Sequence, residues 1–147
     1  MEERFDGGGA WRAHISTSLP PEARAIREEV FVREQGFVNE FDEIDERAVH
    51  VVLYRGGEPA GTCRVFAEGG RAHIGRVAVR RALRGQGAGG MLLAAAEEAA
   101  REMGFAAAAL AAQVRARGFY EKVGYAACGE PFDEEGCPHI LLQKRLV

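Results

Sequence analysis

Between Arg80 and Gly90 the chain reads Arg-Arg-Ala-Leu-Arg-Gly-Gln-Gly-Ala-Gly-Gly, immediately before an apolar helical pattern. Glycines at such a junction let backbone approach a ligand, and the first N–H groups of a helix have no partner inside it. With about half a positive charge from the helix dipole, those N–H groups favour phosphate. Arg80, Arg81 and Arg84 add charge beside the loop; from Arg71 to Arg84 there are five arginines and no acid. A charge run of this kind is otherwise a solvated face.

Several phosphate chemistries use glycine loops. Gly85, Gly87 and Gly90 satisfy the spacing G-x-G-x-x-G, which raises a dinucleotide site and hence an oxidoreductase. A Rossmann unit also needs an acid about 20 residues on, at the end of the next strand, and none stands between Met103 and Tyr120. A P-loop needs Gly-Lys-Ser/Thr, which is missing.

The pattern around the loop positions it. Val49–Tyr54 alternates like a strand, and Gly56-Gly57 and Gly69-Gly70 turn it into Gly61–Ala67 and then Arg71–Val79, a three-stranded antiparallel meander. Trp11–Ile15 reads as an earlier strand. Ser18 offers an N-cap for a helix carrying Ile26 and Val30 on one face and stopped by Gly36. After the loop, Leu92, Ala96, Ala99 and Met103 share a helix face, Glu97 and Arg101 stand at i, i+4, and Gly104 ends the helix. Phe105–Ala112 reads as a buried strand, Arg115–Val123 as a short helix ended by Gly124, and His139–Leu146 as a closing strand. The fold class is α/β (α+β), one domain over residues 1–147 with residues 1–9 as a flexible lead-in.

Composition agrees. The chain has 147 residues, 47% hydrophobic and 28% charged, with a net charge of −3 that gives no reason to expect nucleic acid as a partner. No apolar run approaches the roughly 20 residues of a membrane span, and the acidic N-terminus lacks the basic flank of a signal segment, so a cytoplasmic protein is expected. Cys63, Cys128 and Cys137 form no CxxC pair, and no metal site is expected. Glu22–Glu46 holds nine acids against three arginines, a face suited to gathering a cation.

Arg84-x-x-Gly87-x-Gly89 following Ile74-Gly75-Arg76-Val77-Ala78-Val79 resembles the acyl-CoA pyrophosphate loop of the GNAT superfamily of N-acetyltransferases. Gly118-Phe119-Tyr120-Glu121-Lys122-Val123-Gly124-Tyr125 resembles that superfamily's second signature. Phe31–Gly36 and Glu134–His139 resemble its small ElaA-like/YjcF-like bacterial branch. The resemblance implies the GNAT fold: a mixed, mostly antiparallel sheet of six to seven strands, flanked by about four helices and splayed at the cofactor site. It also implies acetyl-CoA as co-substrate. The acceptor would be a primary amine of a small molecule or peptide, with no membrane partner and a homodimer as the assembly to test.

By the same resemblance, Val77 and Val79 would bind the pantetheine arm through their main chain, and the Val77 N–H would serve the oxyanion. Arg84, Gly85, Gln86, Gly87, Ala88, Gly89 and Gly90 would hold the pyrophosphate. Tyr120 would touch the cofactor and meet the leaving sulfur; Glu34 and Gln35 would bind the acceptor. The base is open. Many relatives carry a carboxylate at the position of Gly75, which can supply none. His139, Glu34 and His73 are the alternatives. Gly75 also leaves room for a different class, a non-catalytic acyl-CoA-binding or sensor module. Gln113 stands where an asparagine is common.

Overall fold

A computed structural model describes residues 10–146 in full and the backbone of residues 2–6. Its strands are β1 (Glu2–Asp6), β2 (Trp11–Ser16), β3 (Val49–Arg55), β4 (Glu58–Glu68), β5 (Arg71–Val79), β6 (Ala107–Gln113), β7 (Ala126–Ala127), β8 (Phe132–Glu134) and β9 (Cys137–Arg145). They form one mixed sheet in the order β1-β2-β3-β4-β5-β6-β9-β7, with β8 paired to β9. Every pairing is antiparallel except β5 with β6. The mixed, mostly antiparallel sheet is the expected one, with three short strands (β1, β7 and β8) beyond those the sequence reading marked. β1 falls in the stretch expected to be a flexible lead-in; Gly7–Gly9 lie outside the described residues.

Four α-helices flank the sheet: α1 (Pro21–Arg27), α2 (Ile44–Arg47), α3 (Ala88–Glu102) and α4 (Arg117–Lys122). Helix α1 begins at Pro21, and Ser18 does not cap it. Pro20 holds an extended conformation, as a residue before proline must, so the helix cannot start earlier. Ser18 instead closes a turn with Ser16, its N–H donating to Ser16 Oγ at 3.3 Å. The helix continues as a π-helical segment, Glu28–Glu34, which Gly36 ends at φ +82°.

Two apolar clusters sandwich the sheet. On one face, Val51, Leu53, Val65 and Ile74 pack against Leu92, Leu93 and Ala96 of α3. On the other, Val52 and Ala78 pack against Ala23, Ile26 and Val30. Each buried Val, Leu or Ile side chain is worth about 1.5–3 kcal/mol. Gly61 makes the α3 packing possible, since a Cβ there would lie 2.8 Å from the Leu92 side chain and from the Ala78 carbonyl. The expected Glu97–Arg101 pair is replaced by tertiary partners. Tyr125 Oη donates to Glu97 at 2.8 Å and Lys144 Nζ at 3.1 Å, while Arg101 donates to the Leu146 carbonyl. Glu97 faces the core, where a surface pairing with Arg101 cannot satisfy it.

Candidate active site

Strands β5 and β6 run parallel but pair only at Ala72–Ala108 and His73–Ala109, and then diverge. The gap is a cavity of about 510 Å³, walled by Gly75, Arg76 and Val77 of β5 and by Leu110–Gln113 of β6. Tyr120 of α4, His139 of β9, Glu40 and Asp42 of the segment before α2, and Glu134 and Glu135 also line it. This is the splay the resemblance implied.

The divergence is accompanied by a break in the β4–β5 ladder. Thr62 faces Ala78 and Arg64 faces Gly75, so Arg76 and Val77 have no register partners on β4. Bulges of this kind redirect a strand and its peptide groups. Arg76 takes φ +51°, the left-handed region that costs a non-glycine residue roughly 1–2 kcal/mol. Val77, half-buried, lines the cavity at the point where the ladder is interrupted.

The glycine loop lies between β5 and α3. Gly85 and Gly87 have φ of +79° and +84°, and Gly87 stands at the N-cap of the fifteen-residue helix. The first bond of α3 runs from Met91 N–H to the Gly87 carbonyl at 3.2 Å, so the N–H groups of Ala88, Gly89 and Gly90 precede the ladder. Those amides and the helix dipole fit a pyrophosphate. Gln86 sits between the two left-handed glycines. Gly89 has a second reason to lack a side chain, because a Cβ would meet the Phe119 ring at 2.9 Å.

The arginines beside the loop are not equivalent. Arg80 is bound to Glu58 at 3.1 Å and faces Glu29 at 3.4 Å. Arg84 forks onto Glu34 at 2.7 and 2.9 Å and donates through Nε to the Val79 carbonyl at 2.9 Å. Arg81 keeps a side chain 77% exposed, its nearest acid being Glu34 at 3.5 Å. Glu34, expected as an acceptor-binding residue or a base, is thus engaged by the loop and stands outside the lining of the main cavity. The Arg84 hydrogen bond holds its carboxyl below the usual range. Gln35 does line the cavity and accepts a hydrogen bond from Gln113 Nε2 at 2.6 Å.

Tyr120 is buried against Phe119 and Tyr125, yet it lines the cavity. Burial pushes its phenol well above the ordinary tyrosine value. His139 is buried too. Its Nδ1 lies 2.8 Å from the Cys137 carbonyl, which fixes a proton on that nitrogen, and its Nε2 lies 3.4 Å from Glu134. Phe132 stacks on the imidazole. His73 stacks on Phe66 and is not among the cavity residues.

The sequence reading missed a buried ionic network on the cavity's far wall. Arg27 binds Glu40 at 2.9 Å and Asp45 at 2.7 Å; Arg64 binds Asp42 and Asp45; Arg76 binds Glu40 at 3.0 Å. Burial raises the Glu40 carboxyl despite the opposing pull of Arg76 and Arg27. Burial also pushes Asp45 upward, but Arg27 and Arg64 outweigh it and bring that carboxyl down to about 2. The acids belong to the Glu22–Glu46 run, whose surplus charge is partly neutralised inside the protein. Partners 13 to 36 residues apart carry no periodic signal.

The sequence of residues 19–146 matches the family description "Acetyltransferase (GNAT) domain". The chain belongs to the GNAT acetyltransferase family. Among relatives of this GNAT protein, the Bacillus subtilis protein named uncharacterized N-acetyltransferase YjcF is 37% identical over 122 residues, 81% of this chain and 87% of that one. A crystal structure from Lactobacillus plantarum is 36% identical, with a TM-score of 0.85 over 95% of this chain and 100% of that chain. Escherichia coli ElaA is 25% identical, with a TM-score of 0.79 over 92% of this chain and 98% of that chain. The ElaA-like/YjcF-like branch the sequence pointed to is therefore represented. Among the described residues of this GNAT chain, no helix is long and apolar enough to cross a membrane, and no group of three or more His, Cys, Asp and Glu is placed to hold a metal.

Proposed function

We propose that this GNAT acetyltransferase moves an acetyl group from acetyl-CoA directly to a primary amine of a small molecule or peptide. The observation that carries the reading is the splay between β5 and β6, a cavity lined by Val77 and Tyr120, with the glycine loop at the start of α3 following closely on the end of β5. When bound, acetyl-CoA supplies an activated acyl carbon on a thiol leaving group.

The chain's own residues have three tasks. Gly85–Gly90 hold the pyrophosphate, and the main chain of Val77 and Val79 holds the arm that follows it. The Val77 N–H faces the acyl oxygen as it gains charge, a contribution of about 2.7–4 kcal/mol for one well-placed donor. Tyr120 donates to the sulfur. A thiolate, whose thiol has a pKa near 8.5, is a weaker base than a free phenolate, whose phenol is near 10, and burial widens that gap. A hydrogen bond that strengthens with charge on sulfur suits Tyr120 better than complete proton transfer.

The amine must also arrive deprotonated. For a lysine-like amine of pKa about 10.4 this costs about 4.6 kcal/mol at pH 7, and for an α-amine about 1–1.4 kcal/mol. Of the cavity groups that can take a proton, His139 and Glu40 are buried, while Asp42, Glu134 and Glu135 are more exposed. Gly75 favours a second reading, an acyl-CoA-binding module without turnover. Thiol release from acetyl-CoA against a panel of amines, with the products weighed by mass spectrometry, decides between them. Release that depends on the amine supports transfer; tight CoA binding with no release supports the module.

A further inference from the structure

We infer that Glu40 is the proton acceptor for the incoming amine, standing in for the carboxylate that Gly75 cannot provide. The inference rests on the acetyl-transfer reading above. Glu40 is 4% exposed and lines the cavity. Its Oε2 is clamped by Arg27 Nε at 2.9 Å and Arg76 Nε at 3.0 Å. Its backbone carbonyl accepts from the same two guanidinium groups, at 3.0 Å from each. Its other oxygen, Oε1, makes none of the hydrogen bonds found for Glu40 among the described residues, all of which fall on Oε2 and the backbone carbonyl. One oxygen is fixed and the other is free.

His139 is the competing base: with its proton held on Nδ1 by the Cys137 carbonyl, its Nε2 carries a lone pair 3.4 Å from Glu134, and the His139→Gln variant separates it from Glu40. Arg76 adds a connection to the reacting centre, because it sits between Gly75 and Val77 in the bulge and carries Glu40 on its guanidinium.

Around Glu40 stand Arg27 of α1, Arg64 of β4 and Arg76 of β5, with Asp42 and Asp45 joined to the same arginines, so that three cations balance three carboxylates within the network. Arg115, Glu134, Glu135 and His139 face it across the cavity, an acidic surplus that draws a cationic amine in toward Glu40. Burial also makes Glu40 more basic than a surface carboxylate.

An N–H bond of the ammonium breaks and its proton passes to Glu40 Oε1. The nitrogen lone pair forms the N–C bond to the acyl carbon, and the C–S bond breaks with its electron pair going to sulfur. Of the two remaining nitrogen protons one stays in the amide and one passes to sulfur, while Glu40 returns its own to solvent.

The test compares two acceptors of similar size, a basic alkylamine and a fluorinated alkylamine that is already neutral at working pH, in the wild type, Glu40→Gln and His139→Gln. Glu40→Gln is expected to lose 10²–10⁴-fold in kcat/KM with the basic amine and less than about tenfold with the neutral one, with CoA affinity unchanged. An equal loss with both amines makes Glu40 structural and overturns the inference. So does wild-type activity in Glu40→Gln, or the amine-dependent loss appearing in His139→Gln alone. Should Glu40→Gln fail to fold, Glu40→Asp keeps the charge but withdraws the oxygen, and the same comparison applies with the same overturning outcomes. Both amines are taken from those the wild type acetylates in the amine panel, and a wild type that acetylates none of that panel ends the transfer reading itself.

Discussion

Glu34 and Arg84 are joined by a forked ion pair of 2.7 and 2.9 Å that ties the end of the π-helical segment to the phosphate loop. The next residue, Gln35, is bonded to Gln113 at the end of β6. One turn of chain thus braces both sides of the splay. The carboxylate of Glu34 also occupies the arginine that a pyrophosphate would use.

Glu34→Gln is therefore expected to strengthen CoA binding. Removing a unit charge about 4 Å from a phosphate in a watery setting is worth about 1 kcal/mol, or roughly fivefold. Titration calorimetry at low and high salt checks it, and the gain should shrink as salt rises. An unchanged affinity at low salt would show that Glu34 and the phosphates do not compete.

The arginine run should split. Arg81→Ala and Arg84→Ala are expected to weaken CoA and flatten its salt dependence. Arg80→Ala should leave affinity nearly unchanged, because Arg80 is held by Glu58 and Glu29. Three equal losses, read in the same titrations, would contradict this ordering.

Gly87→Ala places a side chain on a residue at φ +84°, at a cost of roughly 1–2 kcal/mol in stability, and distorts the amides that face the ligand. Gly90→Ala, with open space around its Cβ and no positive φ, is the control for strain alone and should leave the free protein as stable or more so, by up to about 1 kcal/mol. Urea midpoints with and without CoA separate strain from lost binding.

Tyr120→Phe retains the buried ring and removes the hydroxyl. Its kcat and kcat/KM should fall together by 10²–10⁴-fold with KM for acetyl-CoA little changed. Since burial raises the phenol, the wild-type rate should show no loss from Tyr120 ionisation through pH 9. Single-turnover rates are the proper measurement, and a Phe variant with most of its rate would remove Tyr120 from the chemistry.

Asp45 predicts how stability depends on acid. Its folded value is depressed from 3.8 to about 2, so its contribution is present above the unfolded value and is lost as pH falls toward 2. The difference corresponds to about 2 kcal/mol. Glu40, shifted the other way, gives back part of this on acidification. Asp45→Asn leaves Arg27 and Arg64 under-neutralised and is expected to cost about 3–5 kcal/mol at neutral pH. Urea unfolding between pH 7 and pH 3 tests both statements.

What the sequence determined by itself was local. Glycines with few allowed alternatives marked the hairpins and the phosphate loop, a helical period marked α3, and two short segments identified the family. Those signals lie within one element, where spacing along the chain is spacing in space. Tertiary structure decided the rest. It paired Glu2–Asp6 into an edge strand, gave Glu97 to Tyr125 and Lys144, committed Arg84 to Glu34, and gathered Arg27, Glu40, Asp45, Arg64 and Arg76 behind the cavity. A buried charge takes whichever partner the fold brings within about 3 Å, since leaving it unpaired costs several kcal/mol. That choice depends on how distant strands pack, and no local pattern of residues encodes it.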